Sequence, residues 1–326
     1  MLSALIGNSA SMRTLREEIA RVARSSLPLL LQGPTGSGKE LVAAAIHAAS
    51  DRRGHFVAFN VCAIGDAMVE DALFGHVRGA FTGATSDVPG YLAEANGGTI
   101  LFDEISGLSL QNQAKLLRAL ETHQFRPIGA TRDRASDFRT IAATNDDISM
   151  MVTEKAFRAD LAFRLRGTTI RVPSLRERID DVPLLLRHFL QRITPSTWTV
   201  SDGALGLLMQ HDWPGNVREL RFAAERAAMY AHNGHVSRET VVAALYGEET
   251  PAVDVQHDFA RRRLLALLTE AEWDTANAAK RLGVHRTTVY RRMTRLGIVT
   301  PIDVRTEYPR GERKKLAGQG EAGTNC

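Results

Sequence analysis

The run LPLLLQGPTGSGKELVAAAIHAA, Leu27 to Ala49, sets an apolar strand against a glycine turn and then against a stretch that is helical by composition. Apolar strands recur at Phe56–Asn60 (FVAFN), Thr99–Asp103 (TILFD) and Thr140–Asn145 (TIAATN), separated by helical sequence such as QNQAKLLRALETH from Gln111. Short apolar strands alternating with helices argue for a parallel sheet covered on both faces, so the fold class expected is α/β. Ahead of the first strand, Met12, Leu15, Ile19 and Val22 fall at helical spacing and predict an amphipathic helix.

After TTIRV, which ends at Val172, the strands stop. DDVPLLLRHFLQRI, GALGLLMQH, GNVRELRFAAERAAMYA and SRETVVAAL read as helices and make a small all-α subdomain. The expected divisions are an α/β subdomain over 1–174, a helical lid over 175–246, a linker over 247–258, a helical unit over 259–301 and a polar, disordered tail over 302–326. Two cysteines, Cys62 and Cys326, can build neither a disulfide framework nor a zinc cluster, and Cys62 is expected to be a small core residue. The N-terminus lacks a signal-peptide layout, and no apolar run approaches the roughly 18 residues that cross a bilayer, so the expected location is cytoplasmic with no membrane partner.

Charge is uneven along the chain. Against a net +4, His257–Cys326 carries 14 Lys and Arg and 8 Asp and Glu, which points the C-terminal unit toward nucleic acid. Within it Thr275–Ile298 gives a helix, a turn at Gly283 and a second helix opening near His285. Ala278, Ala279 and Leu282 permit close crossing, while Val289, Met293 and Leu296 form an inward stripe. Outward lie Arg286, Thr287, Tyr290, Arg291 and Arg295, with Thr288 and Arg292 beside them, and no acid interrupts His285–Thr300. Such a helix suits phosphates and guanine edges in a major groove. An ordinary basic helical hairpin is the alternative.

The glycine turn, GPTGSGKE at Gly33–Glu40, has phosphate-loop spacing. Through Gly33, Pro34, Thr35, Gly36, Ser37 and Gly38 the backbone can curl its amides toward phosphate oxygens, and Lys39 reaches the outer phosphates. Glu40 stands where Ser or Thr usually ligates magnesium. TILFDE supplies the complement, with Asp103 to hold magnesium and Glu104 to polarise a water. The lesser alternative for that strand end, taken without the phosphate loop, is a pair of solvated acids. Upstream, GHVRGAFTGATSD at Gly75–Asp87 places Phe81 and Thr82 between Gly79, Ala80, Gly83 and Ala84, none of which can cover a ring. Phe81 either tucks into the core from a tight turn or is carried outward.

In this order GPTGSGKE, GAFTGA, GGTILFDEI, IAATN, FRADLAFRL, LRER and WPGNVREL resemble the AAA+ ATPase domain of bacterial sigma-54-dependent transcriptional activators over Leu5–Leu245. The C-terminal segment is similar to the Fis-type helix-turn-helix of that family, whose second helix often opens with Ser where this chain has His285. The resemblance implies ATP and Mg2+ as ligands, with Lys39 and its loop on the phosphates, Asp103 on the metal and Glu104 on the attacking water. Glu40 fits, since the family usually has Glu after the Lys. It further implies that Asn60 restrains the catalytic Glu until the γ-phosphate is sensed, that Asn145 and Arg218 are sensors, and that Arg158 and Arg164 are arginine fingers inserted into a neighbouring subunit's site in a hexameric ring. Read from the residues alone, Asn145 is a strand-end cap, Arg158 and Arg164 are exposed arginines, and Arg218 pairs with Glu219 or Glu225.

The implied function is ATP-driven conversion of a closed promoter complex to an open one. GAFTGA would touch sigma-54, and the implied partners are the sigma-54 RNA polymerase holoenzyme, double-stranded enhancer DNA bound by dimers, and further copies of the chain. With the phosphate loop opening at Gly33, no room is left ahead of it for a sensory domain, so control in trans by a regulatory protein or a paralogous co-activator is expected. Two other readings are a non-catalytic DNA-binding repressor using nucleotide as a structural ligand, and a motor acting on DNA or on a sigma-70 promoter.

Overall fold

The computed structural model describes residues 5–195, 197–247, 261 and 264–298. The chain divides into two compact units, residues 1–245 and 246–326. In the first, β1 (Leu29–Gln32), β2 (Phe56–Asn60), β3 (Thr99–Asp103), β4 (Arg139–Thr144) and β5 (Thr168–Arg171) form a wholly parallel sheet in the order β2-β3-β4-β1-β5. Side chains alternate across it. Leu29, Leu31, Leu101, Ile141 and Ala143 pack with α1 (Ala10–Val22) and α2 (Lys39–Ala48) on one face. Leu30, Val57, Phe59, Ile100, Phe102 and Ala142 pack with α3 (Asp66–Phe74), α4 (Leu110–Thr122) and α5 (Ala159–Leu165) on the other. With both faces dry, the central strands read as unbroken apolar runs.

One buried charge holds the layers together. Arg139, 2 % exposed on β4, donates to the carbonyls of Val22 (2.7 Å) and Ala23 at the C-terminus of α1, where the helix dipole is negative. Burial, with Arg52 nearby, pushes its guanidinium down to about 10.

Four helices form the lid: α6 (Val182–Ile193), α7 (Asp202–Gln210), α8 (Asn216–Tyr230) and α9 (Arg238–Tyr246). Between them the structure adds a two-residue parallel pair, Thr199–Val200 with His235–Val236. Trp213 is the large apolar anchor here, 1 % exposed with its indole N–H on the Leu208 carbonyl at 2.9 Å.

In the second unit residues 264–270 are helical and are followed by α10 (Thr275–Leu282) and α11 (Arg286–Arg295). Leu264, Leu268, Ala278, Ala279, Val289, Met293 and Leu296 form its core, as the expected inward stripe requires. Gly283 ends α10 in the left-handed region (φ 63°), and His285 caps α11 by accepting from the Thr287 N–H at 3.4 Å. The proposed linker beyond Gly247 and the proposed tail lie outside the described residues.

Cys62 is not a core residue: it is exposed. It follows an edge strand, in a single helical turn (Val61–Ala63) where Val61 takes the buried position and Asn60 Oδ1 accepts from the Cys62 N–H at 2.9 Å. Apolar neighbours in sequence do not bury a residue where the chain leaves the sheet margin.

Candidate nucleotide site

A doubly wound sheet opens its ligand crevice beyond the carboxyl ends of its strands. That edge holds residues 33–38 after β1, Asn60 at the end of β2, Asp103 at the end of β3 and Glu104 just past it. Gly36 (φ 75°) and Gly38 (φ 103°) take left-handed conformations that curl the loop, and Gly38 caps α2. Ser37 and Lys39 are buried beneath it. The Lys39 ammonium donates to the Gly33 carbonyl (2.9 Å) and lies 3.9 Å from the Glu104 carboxylate. Among the described residues the buried Ser37 hydroxyl has no hydrogen-bond partner.

Parallel register sets Asn60 beside Asp103, and Asn60 Nδ2 donates to Asp103 Oδ2 at 3.4 Å. Expected to restrain Glu104, Asn60 therefore sits on the neighbouring carboxylate. Glu104 itself turns off the strand with φ 53°, ψ 46°, a left-handed backbone unusual outside glycine. Cys62 shares this acidic surrounding: though its surface is exposed, partial desolvation, then Glu104, Asp103 and Asp146, push its thiol up.

The lid closes the other side. α8 starts on the phosphate loop, with the Gly36 carbonyl accepting from the N–H groups of Val217 (3.0 Å) and Arg218 (3.3 Å), and a Cβ on Gly36 would strike the Gly215 carbonyl. Asn216, 3 % exposed with φ 52°, donates from Nδ2 to the Thr35 carbonyl (3.0 Å) and accepts at Oδ1 from the Leu175 N–H (2.8 Å). From behind, buried Arg178 donates to the Ser37 carbonyl (2.8 Å). The result is a cavity of about 580 Å³ lined by the loop, Glu40, Asp103 and Glu104 below and by Phe189, Arg192, Arg218 and Arg221 above. Glu225 pairs with Arg221 (2.9 Å) and Glu219 accepts from the Gly215 N–H (2.8 Å), so neither holds Arg218.

Other residues singled out in the sequence stand apart. Asn145 is exposed past β4 and does not line the cavity. Arg158 and Arg164 are exposed and do not line it either. Arg158 is fixed by Asp160 at 2.7 Å, a pairing that raises the guanidinium and lowers the carboxyl from their ordinary values. GAFTGA forms the tip of a hairpin whose strands are Gly75–His76 and Val88–Pro89. Gly79 (φ 80°) and Gly83 (φ 102°) turn it, Ala84 is buried, and Phe81 is 46 % exposed with one edge against His76 (ring centres 4.9 Å apart).

Cavity residues missed from the sequence include Phe189, Arg192 and Arg221, with Leu41, Ile193 and Val217 beside them. Phe189 and Arg192 share a helical stripe with Ile193 that opens onto the cavity, a spacing the sequence displays. On α11, Thr287, Arg291 and Arg292 are exposed and Thr288 is half-buried, while the side chain of Arg295 lies outside the described residues. Arg286 and Tyr290 are engaged within the unit: Arg286 donates to Thr275 Oγ1 (3.0 Å) and to the Tyr290 hydroxyl (3.1 Å).

Comparison with known proteins agrees with this geometry. Residues 5–171 match the sigma-54 interaction domain, 176–257 the AAA+ ATPase lid domain, and 257–296 the Fis family of bacterial regulatory proteins. The transcriptional regulatory protein ZraR of Salmonella typhimurium is 39 % identical over 305 residues, covering 89 % of this chain and 68 % of its own. The Nif-specific regulatory protein of Azotobacter vinelandii is 39 % identical over 86 % of this chain and 56 % of its own length. A crystal structure of NtrX from Brucella abortus in complex with ATP superposes with a TM-score of 0.67 at 32 % identity, over 90 % of this chain and 69 % of NtrX. A phosphate loop facing two strand-end carboxylates, a lid docked on that loop, an exposed GAFTGA hairpin and these matches together place the chain among the sigma-54-dependent transcriptional activators, with an AAA+ domain, its lid and a Fis-type helix-turn-helix.

Proposed function

We propose that this protein, held on enhancer DNA by its helix-turn-helix, hydrolyses ATP in a hexameric ring and remodels the sigma-54 RNA polymerase closed complex into an open one. The observation that carries the reading is Phe81, exposed between two left-handed glycines on a hairpin whose connection runs into the strand that ends in Asp103 and Glu104. Left-handed Gly36 and Gly38, with Lys39 at the start of α2, suit a triphosphate, as does the likeness to ATP-bound NtrX.

Magnesium suits the same place. No cluster of three or more His, Cys, Asp or Glu fit for a metal occurs among the described residues. Mg2+ needs none, because it takes one or two carboxylates and completes its shell with phosphate oxygens and water. Asp103 would hold it, steadied by Asn60, and when bound it supplies charge neutralisation at the outer phosphates. Lys39 places a cation on those phosphates, and Glu104 orients the water and takes its proton. Arg218, joined by Arg192 and Arg221, brings positive charge from the lid.

In such a ring Arg158 and Arg164, exposed and away from their own cavity, would serve a neighbour's. Phe163 between them, 86 % exposed, suits a face covered by a second copy.

Two measurements test this. Glu104→Gln should abolish ATP turnover; turnover equal to wild type would leave a DNA-binding protein with nucleotide as a structural ligand. Phe81→Ala and Thr82→Ala should keep turnover yet lose open complexes at a sigma-54 promoter; open complexes unaffected by both would exclude the loop as the contact.

A further inference from the structure

Gln113 lies in the first turn of α4 and is completely buried. Its amide is spent on the main chain of two other segments. Nε2 donates to the carbonyls of Leu108 (2.8 Å) and Ala156 (3.2 Å), and Oε1 accepts from the Arg158 N–H (2.8 Å). Leu108 closes the helical turn Ile105–Gly107 that begins at Glu104, whereas Ala156 and Arg158 lead into α5. The far end of the same helix holds the second arginine, since Arg164 donates to the Leu120 carbonyl at 2.8 Å. One helix, starting a few residues past Glu104, therefore braces both arginines.

A buried amide with both N–H groups and its oxygen engaged cannot shift against one segment without stranding polar groups of the other. The turn after Glu104 and the backbone of Arg158 must then move together. We infer that Gln113 is a positioning residue for Arg158, passing the position of the Glu104 turn in one subunit to the arginine which that subunit offers to the next. The inference rests on the reading that Arg158 acts in a neighbour's cleft.

Gln113→Met in the full chain keeps the side-chain length and removes all three bonds. A misplacement of about 1 Å in a group acting on the transition state costs on the order of 100-fold, so kcat for ATP should fall by about that factor with KM little changed, because Gln113 does not line the cavity. Mixed assemblies separate positioning from general damage. Glu104→Gln subunits are inactive in their own site and still present an intact Arg158. Mixed with Arg158→Ala subunits they should restore turnover, to about a quarter of wild type for random assembly at equal amounts. Mixed with Gln113→Met subunits they should restore it equally, as the supporting result.

Recovery with Arg158→Ala but not with Gln113→Met would place the Gln113 defect in its own site and overturn the inference while leaving the ring reading intact. Recovery with neither would remove the action of Arg158 in trans and the inference with it. Wild-type turnover by Gln113→Met alone would also overturn it. Should Gln113→Met fail to fold, Gln113→Glu, which keeps an acceptor for the Arg158 N–H and replaces two amide donors with at most one hydroxyl, is read by the same mixtures.

Discussion

Asn216 joins the lid to the phosphate loop, and its removal has a calculable cost. The side chain is 3 % exposed, satisfies the Leu175 N–H at 2.8 Å, reaches the Thr35 carbonyl at 3.0 Å and sits on a left-handed backbone (φ 52°). In Asn216→Ala the Leu175 N–H, inside a fully buried residue, is stranded at about 1–3 kcal/mol, and the lost donor to Thr35 adds about 1 kcal/mol. Alanine in a left-handed conformation costs about 1–2 kcal/mol more. Since such terms overlap, the expected loss is about 3–5 kcal/mol. Asn216→Gly deletes the same bonds without the backbone strain and should be milder than Ala by about 1 kcal/mol. Urea unfolding followed by tryptophan emission is the assay, because buried Trp213 accepts the Asn216 N–H on its carbonyl at 2.8 Å. ATP affinity should weaken in parallel as the lid undocks. A cost below about 1 kcal/mol for Ala, or equal costs for Ala and Gly, would refute the account of Asn216 as a strained, doubly bonded link.

Other expectations follow from single contacts. Gly36→Ala places a methyl against the Gly215 carbonyl on a φ of 75° and should lower Tm by about 4–8 °C in a thermal melt while weakening nucleotide binding. His47 is held below its ordinary 6.5 by burial and then by Arg139. The unfolded chain therefore takes up that proton at higher pH than the folded one, so stability is lost as pH falls below 6.5, and His47→Gln should flatten that loss in unfolding curves down to about pH 5. Arg291→Ala and Arg292→Ala should each lower the salt slope of DNA binding by about 1, measured by titration at several salt concentrations. Arg286→Ala should chiefly destabilise the second unit, because that side chain ties α10 to α11 through Thr275 and Tyr290.

The sheet was legible because both of its faces are dry: central strands then show as apolar runs, and helices between them force parallel order. Elements at the margin were less so. Cys62 was misplaced because β2 is an edge strand and the chain turns outward after it, which local apolarity does not report. The Thr199–Val200 and His235–Val236 pair went unseen because two residues cannot display a period. In the nucleotide site, residues whose chemistry resides in their side chains and spacing stood out, namely Lys39, Asp103, Glu104 and the glycines.

Gln113, Asn216 and Arg178 went unnoticed as anchors for one shared reason. Each is buried and each spends polar atoms on backbone groups: Gln113 on Leu108, Ala156 and Arg158, Asn216 on Thr35 and Leu175, and Arg178 on Ser37, with its other amino group on Met12 Sδ. A main-chain partner carries no signature in the sequence, so such a residue looks like any polar residue in a helix. Yet these three hold the segments that must keep register: the phosphate loop to the lid, the same loop to the segment entering the lid, and the Glu104 turn to Arg158. The groups proposed for catalysis sit at the ends of elements and in the turns beside them, where they can be aimed, and such a turn has no hydrogen-bonded ladder of its own to fix that aim. Buried amides and a guanidinium supply the missing ladder. Replacing them with apolar residues of equal volume should therefore strand those backbone groups, cost stability and spoil the aim together, whereas Lys39→Ala keeps the aim and loses the charge.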